Sequence, residues 1–414
     1  MFADILKAPA VQSLFRRVEH GGALSFAGVA GSAQPFFAAL LQQTFPSRSI
    51  VVVAENLKTQ ESFQQDLETW AKLSGGKQAL LFYPAWEMLP HEGKLPHSDV
   101  ISERLQTLVA LSQGSVAQAA LSIVTSVTAL LQKTYAPTDL KDRARSLKRG
   151  DSIAPLDLIE FLEEQGYEPE AQVSQKGEIS LRGGILDIFP PTSPWPVRLE
   201  FFGDELESLR QFDPLTQISR EEITEITLPP AGEVGILKRE SEKPKPQGRG
   251  MATLLEHLPR ETIFVLCDPE SLAVQAENYA QQIPAGDAFY ISWPDFLIEL
   301  NRRGFSSVEL VDDLIGGTVS QPPETGGSRW EESPSESRGV ELEPTHVGCY
   351  ESAGEGDFSP IAASLFSSLD AFRPLADRAP EPQIAEAQRR EFFQQLHRWL
   401  RQNYAVHVFC NNDG

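Results

Sequence analysis

The sequence predicts an α/β chain in which one parallel-sheet domain is interrupted by an α+β insertion, and a further small α/β domain begins near the end. Three observations carry this. Continuous apolar runs alternate with helix-spaced segments over the first 135 residues. Short alternating runs punctuated by Gly and Pro replace them from about residue 139. After Pro229 the first texture returns. A strand buried on both faces reads as an unbroken apolar run, whereas a sheet packed on one face alternates apolar with polar.

The opening stretch, MFADILKAPAVQSLFRRVEH, has the spacing of a short amphipathic helix and lacks the charged leader, apolar core and cleavage site of an export signal. Residues 49–54 (SIVVVA), 79–83 (ALLFY) and 121–126 are the first buried strands, with helices over 57–73 and 101–113 between them. A helix at 155–165 leads into the alternating runs EISLRGGILDIFPP and WPVRLEFFGDELESLRQFD, which suit an antiparallel sheet. Residues 262–267 form another buried strand. Residues 316–357 are acidic, crowded with Gly, Pro and Ser, and show no apolar period, so a flexible linker is expected there. A helix over 384–403 and a strand over 404–410 follow, and the chain stops at CNNDG, as the start of a truncated small domain would.

Composition narrows the function. The 41% of hydrophobic residues suits a globular chain, and no apolar run approaches the roughly 20 residues that span a bilayer, so no membrane is implied and the cytoplasm is the default. The cysteines Cys267, Cys349 and Cys410 are odd in number and far apart, which fits neither a disulfide framework nor a zinc knuckle. Lys plus Arg number 36 against 58 Asp plus Glu, a net charge of −22. Nucleic-acid affinity comes mainly from cations on phosphates, so weak binding to duplex DNA is expected. No Ser-His-Asp, Cys-His or metal-ligand constellation stands out, and neither a cofactor nor a metal is expected.

One loop carries a trace of phosphate chemistry. Gly28–Val29–Ala30–Gly31–Ser32–Ala33–Gln34–Pro35 lies between a short apolar run (24–27) and a helix (36–45), the setting of a phosphate-binding G-x-x-x-x-G-K-[ST] loop. Aligned from Gly28, the second glycine falls on Ala33, the lysine on Gln34 and the hydroxyl residue on Pro35. Gln34 brings no charge, and Pro35 brings neither hydroxyl nor backbone donor. A second trace is TIFVLCDPE (262–270), an apolar strand ending in Asp268, with Pro269 where a nucleotide hydrolase places a glutamate. Asp268 equally suits the cap of a strand-to-helix turn.

Three segments resemble one family. Residues 82–108 (FYPAWEMLPHEGKLPHSDVISERLQTL), 177–191 (GEISLRGGILDIFPP) and 198–220 (RLEFFGDELESLRQFDPLTQISR) resemble the hallmark stretches of the bacterial transcription-repair coupling factor family, Mfd. The first follows the family's W-E-x-L-P…S-P-H-x-D-x-I-S-x-R-L pattern with Leu95 in place of its first serine. The other two belong to a region shared with the excision-repair protein UvrB. The resemblance runs from about residue 20 to 310 and resumes weakly after 384.

That resemblance implies a UvrB-like body: a degenerate RecA-like, P-loop-type domain in two segments (1–138 and 229–315), an inserted α+β domain (139–228) that docks UvrA, the acidic linker (316–357), and the start of a small α/β domain (358–414). It implies an adaptor for nucleotide excision repair with no ATPase activity of its own. RNA polymerase and DNA would be engaged by domains of the full-length family that this chain lacks. Pro84 to Ile101 holds only a compact loop, without UvrB's aromatic hairpin. Carried over by residue, the docking surface centres on Arg182, with Phe189 and Arg198 nearby. The plainer alternatives are a surface Arg182 balanced by Glu178 or Asp204, a core Phe189, and an Arg198 paired across the sheet. One departure is Glu168–Pro169–Glu170 after Gly166–Tyr167, where family members carry a basic residue. The rival functions are an active nucleic-acid-dependent ATPase or helicase domain, and an autoinhibitory clamp on the downstream translocase.

Overall fold

The computed structural model describes residues 5–74, 79–112, 120–241, 251–312 and 382–401. Strands β1 (Ala23–Ala27), β2 (Ile50–Ala54), β3 (Leu80–Tyr83) and β4 (Ser122–Ser126) come first; β5 (Thr134–Tyr135) and β6 (Arg145–Lys148) are short. Next come β7 (Glu168–Pro169), β8 (Glu178–Arg182), β9 (Ile185–Ile188), β10 (Val197–Phe202), β11 (Glu205–Phe212) and β12 (Ser219–Glu222). Last are β13 (Glu225–Leu228), β14 (Met251–Ala252), β15 (Ile263–Cys267) and β16 (Ser306–Val311).

Two six-stranded sheets organise these elements. The first has the order β1-β16-β15-β2-β4-β3 and all its pairings are parallel. It takes four strands from before the second sheet in sequence and two from after it. Because side chains alternate across a strand, β2 feeds two cores. Ile50 and Val52 pack with Phe37, Leu40 and Leu41 of the Gln34–Thr44 helix and with Val11 and Phe15 of the Pro9–His20 helix. Val51 and Val53 face the other layer, with Leu105 and Leu108 of the Ser98–Ser112 helix and Leu272 of the Pro269–Ala280 helix. The unbroken apolar texture of 49–54 follows from this two-sided burial.

The second sheet has the order β12-β11-β10-β9-β8-β7, antiparallel except where the two residues of β7 run beside β8. Leu158 and Leu162 of the Pro155–Glu164 helix pack on Ile179, Leu186, Ile188, Val197 and Leu199 from one face. The chain enters and leaves this unit through the β6–β13 pair, where Arg145 lies opposite Leu228. Beside this stem, Gly166 approaches the backbone of Gly232 so closely that a Cβ would meet its nitrogen at 2.8 Å, and φ there is +87°. Only glycine fits both constraints.

Among the described residues the expected elements are present, most with ends shifted by no more than three residues, while the opening helix runs from Pro9 to His20. The sequence reading did not pick out β16, which lies between β1 and β15. The segment 84–97 holds a 3-10 turn, Pro90–Glu92, and no strand. The helix expected at 384–403 is Pro382–Arg401, while the linker 316–357 and the strand 404–410 lie outside the described residues.

At the junction of the two units sits a buried polar cluster. Arg104 and Glu233 are both inaccessible to solvent. Arg104 donates through Nε (2.8 Å) and Nη2 (3.1 Å) to the two carboxylate oxygens. The same carboxylate accepts from Trp86 Nε1 at 2.9 Å and Thr134 Oγ1 at 2.6 Å. The guanidinium lies between the Tyr83 and Trp86 rings, 4.4 and 4.6 Å from their centroids. Ser102 Oγ donates to the Pro191 carbonyl across the junction. Trp86, Ser102 and Arg104 thus join packing, hydrogen bonds and an ion pair at the junction, and Glu87 accepts from the His97 amide.

His257, close by, gives a pH prediction. Its Nε2–H donates to the Tyr135 carbonyl at 2.8 Å, and Nδ1 is buried with no hydrogen-bond partner among the described residues. Burial pushes its pKa down, against the smaller opposite pull of that carbonyl and of Glu233. The unfolded chain therefore binds a proton at a higher pH than the folded one. The stability linked to His257 is complete above the ordinary histidine value of about 6.5 and is lost as pH falls below it. In denaturant titrations, wild type should lose stability relative to His257→Gln as pH drops from about 7 to 5. Parallel curves would show that His257 does not titrate on unfolding.

Candidate functional site

The second sheet has a face that the helix does not cover, and strand alternation sorts residues onto it. Leu186, Ile188, Val197 and Leu199 point to the helix-packed core, so Asp187, Arg198 and Glu200 point away. Asp187 is placed opposite Ser180 on β8 and opposite Arg198 on β10. Its carboxylate is fully buried and accepts three arginine N–H bonds: Arg198 Nε at 2.7 Å, Arg198 Nη2 at 2.9 Å and Arg182 Nη2 at 2.7 Å. Hydrogen bonding to Asp187 raises the Arg198 pKa further above its ordinary value. Two cations on one anion leave this point of the face with an excess positive charge.

The two arginines are held differently. The Arg198 side chain is 18% exposed, lies 4.6 Å from the Phe212 ring centroid, and also reaches Gln217 Oε1 at 3.4 Å. The Arg182 side chain is 50% exposed. It ends β8 just before Gly183 and Gly184, with Nη2 bonded to Asp187. Phe189 is buried in a small cluster with Val173 and Phe212. The three residues expected on the docking surface therefore share one neighbourhood, with Arg182 outermost and Phe189 beneath. Of the plainer alternatives, the partner of Arg182 is corrected from Glu178 or Asp204 to Asp187; Glu178 instead accepts from the Ser174 and Gln175 amides. Arg198 pairs across the sheet as that alternative had it. The alternating ILDIF run places an acid opposite the arginine of RLEFF, and this was the signal that could have revealed Asp187.

The Gly-rich loop lies elsewhere, at the carboxyl end of β1. A cleft of about 540 Å³ opens there, bordered by Gly31, Gln34, Pro35, Lys58, Asp66 and Asp268 among others. Gly28 has a φ of +77°, and residues Gly31–Ala33 form a 3-10 turn into the Gln34–Thr44 helix. Gln34 is 3% exposed, with its Nε2 turned back to the Val29 carbonyl at 3.4 Å. The Gly31 amide donates to the Asp312 carboxylate at 3.0 Å, so an anion of the chain itself takes that donor. Asp268 occupies the cap position of the Pro269–Ala280 helix with φ 51°, but its side chain makes no capping bond. It accepts from the Asp312 amide at 3.1 Å. Asp312 was not read from the sequence, because its role depends on the register of β16. Burial pushes the Cys267 thiol pKa up, as befits an inert core cysteine.

A family model described as "UvrB interaction domain" matches residues 146–233, which take in the whole second sheet together with Arg182, Asp187, Phe189 and Arg198. The chain is 33% identical to the transcription-repair-coupling factor of Haemophilus influenzae over 239 residues, 49% of this chain and 20% of that protein. To that of Escherichia coli it is 35% identical over 207 residues, 50% of this chain and 16% of the other. To that of Mycobacterium tuberculosis it is 39% identical over 154 residues, 36% and 12% of the two chains. The chain is a relative of the transcription-repair-coupling factors. Its inserted unit matches the UvrB interaction domain. The chain spans a fifth or less of the length of these coupling factors. Among the described residues no helix is long and apolar enough to cross a membrane.

Proposed function

We propose that this chain is an adaptor: an α/β body without nucleotide hydrolysis of its own, presenting a sheet that docks UvrA in the cytoplasm. The observation that carries the proposal is the half-exposed Arg182 held over a buried Asp187 on the open face of a UvrB interaction domain. An arginine fixed by one bond is pre-ordered, and its remaining donors match a carboxylate or backbone carbonyls on a partner. In the family that the chain resembles, the corresponding domain recruits UvrA, while RNA polymerase and DNA are engaged elsewhere in the full-length protein. Co-purification of UvrA with the chain tests this, and absence of a complex at micromolar concentrations counts against it.

The silent body is supported by the loop. A degenerate RecA-like fold accounts for a parallel sheet with a Gly-rich turn after β1 and an acid after β15. Magnesium-ATP needs a cation at the terminal phosphates and a hydroxyl on the metal. Gln34 and Pro35 supply neither, and Asp312 sets a carboxylate against the Gly31 amide. No ATP binding is expected in fluorescent-nucleotide titrations up to about 1 mM, the upper end of common substrate constants. Phosphate release above background, with or without DNA, would overturn the silent body while leaving the docking sheet untouched.

A further inference from the structure

We infer that Phe202 is the apolar anchor of this docking face, paired with Arg182, and that the partner surface is an apolar socket with a carboxylate on its rim. The inference rests on the adaptor reading and names the chemistry of its contact. Phe202 is 75% exposed, far more than the Phe189 suggested by the sequence, which is 8% exposed and buried among neighbours.

The backbone puts Phe202 on the same face of the sheet as Arg182, with β9 between their strands. Pairing between β10 and β11 shifts between Glu200 and Phe201. Phe201 packs on the helix-covered core, so Phe202, the next residue, points to the open face. Phe201 N–H donates to the Gly184 carbonyl at 2.8 Å, tying the β10 end to the turn that follows Arg182. A Cβ on Gly184 would meet the Phe201 carbonyl at 2.8 Å, so only glycine allows this approach. Ile185, opposite both Arg182 and Glu200, is 36% exposed and fills the ground between them.

The chemistry follows from the composition. Aromatic residues and arginine are both enriched at protein interfaces, and arginine is common among hot spots. The ring is three-quarters exposed, so desolvating it requires an apolar hollow on the partner. Asp187 is already satisfied by both Arg198 bonds, so the excess positive charge at Arg182 calls for an acid across the interface.

The test titrates the whole chain into purified UvrA by calorimetry. Phe202→Ala should weaken binding about 30-fold, Phe202→Leu should stay within about 3-fold, and Leu57→Ala, an exposed leucine on the other unit, should bind as wild type. Melting temperatures of all three should match wild type, since both side chains are exposed. The Phe202→Ala/Arg182→Gln pair should lose less than the product of the single losses, as adjacent contacts do. Wild-type binding with Phe202→Ala within 2-fold of it, or loss only alongside a lowered melting temperature, overturns the anchor and leaves the adaptor reading standing. A wild-type chain that does not bind UvrA overturns both.

Discussion

Arg182→Glu is expected to abolish detectable UvrA binding. The change removes an interface cation and sets a carboxylate against the acid inferred on the partner, typically a loss of several kcal/mol. It also sets that carboxylate beside Asp187, which Arg198 alone must then neutralise. The fold should survive at a modest cost in melting temperature, because the Arg182 side chain is half exposed and Asp187 keeps both of its Arg198 bonds. Arg182→Gln separates the two effects. It keeps a donor for Asp187 without adding repulsion, so stability should stay within about 1 kcal/mol of wild type while binding still falls at least tenfold. If Arg182→Gln binds like wild type, Arg182 lies outside the interface.

The largest stability effect should come from Arg104→Met. The guanidinium and the Glu233 carboxylate have no access to water, and the cation is held between two aromatic rings. Removing one member of such a pair leaves the other charge buried and uncompensated, at a cost of about 3–5 kcal/mol. Such a loss is a large share of a domain's typical stability of about 5–15 kcal/mol. Urea unfolding of Arg104→Met should show a midpoint far below wild type, whereas Arg104→Met/Glu233→Leu should recover much of it. If the double variant is no better than the single one, the hydrogen bonds of Glu233 to Trp86 and Thr134 matter more than the charge.

The sequence disclosed much of this because local pattern and tertiary demand agree. IVVVA is apolar throughout because β2 is covered on both faces, and RLEFF alternates because β10 is covered on one. That Gln34 carries no charge is legible because a cation's absence needs no geometry. What stayed hidden depends on register. Asp187 pairs with both arginines only once β8, β9 and β10 are aligned, and Asp312 meets Gly31 across 281 positions of sequence. Glu233 carries no local sign that it will meet Arg104, 129 residues earlier. Phe201 and Phe202 are identical as residues, and the alternation of β10 puts Phe201 with Leu199 on the helix-packed side and leaves Phe202 on the other.

The β6–β13 stem sets the terms on which the two units can change. Arg145 and Leu228 face each other in register, so the span between them begins and ends at one place on the body. For the body, that span is a loop whose ends are already joined, and closing a longer loop costs only about 0.6 kcal/mol per doubling of its length. The parallel sheet is thus almost indifferent to how many strands its guest has. Enlarging, shortening or exchanging the guest is inexpensive so long as the stem, the Gly166–Gly232 crossing and the Glu233 socket are kept. A graft of residues 146–227 into a foreign hairpin of matching register would carry the arginine face with it, while the body left behind would keep Glu233 beside Arg104 and need only a short turn from Arg145 to Leu228 to close.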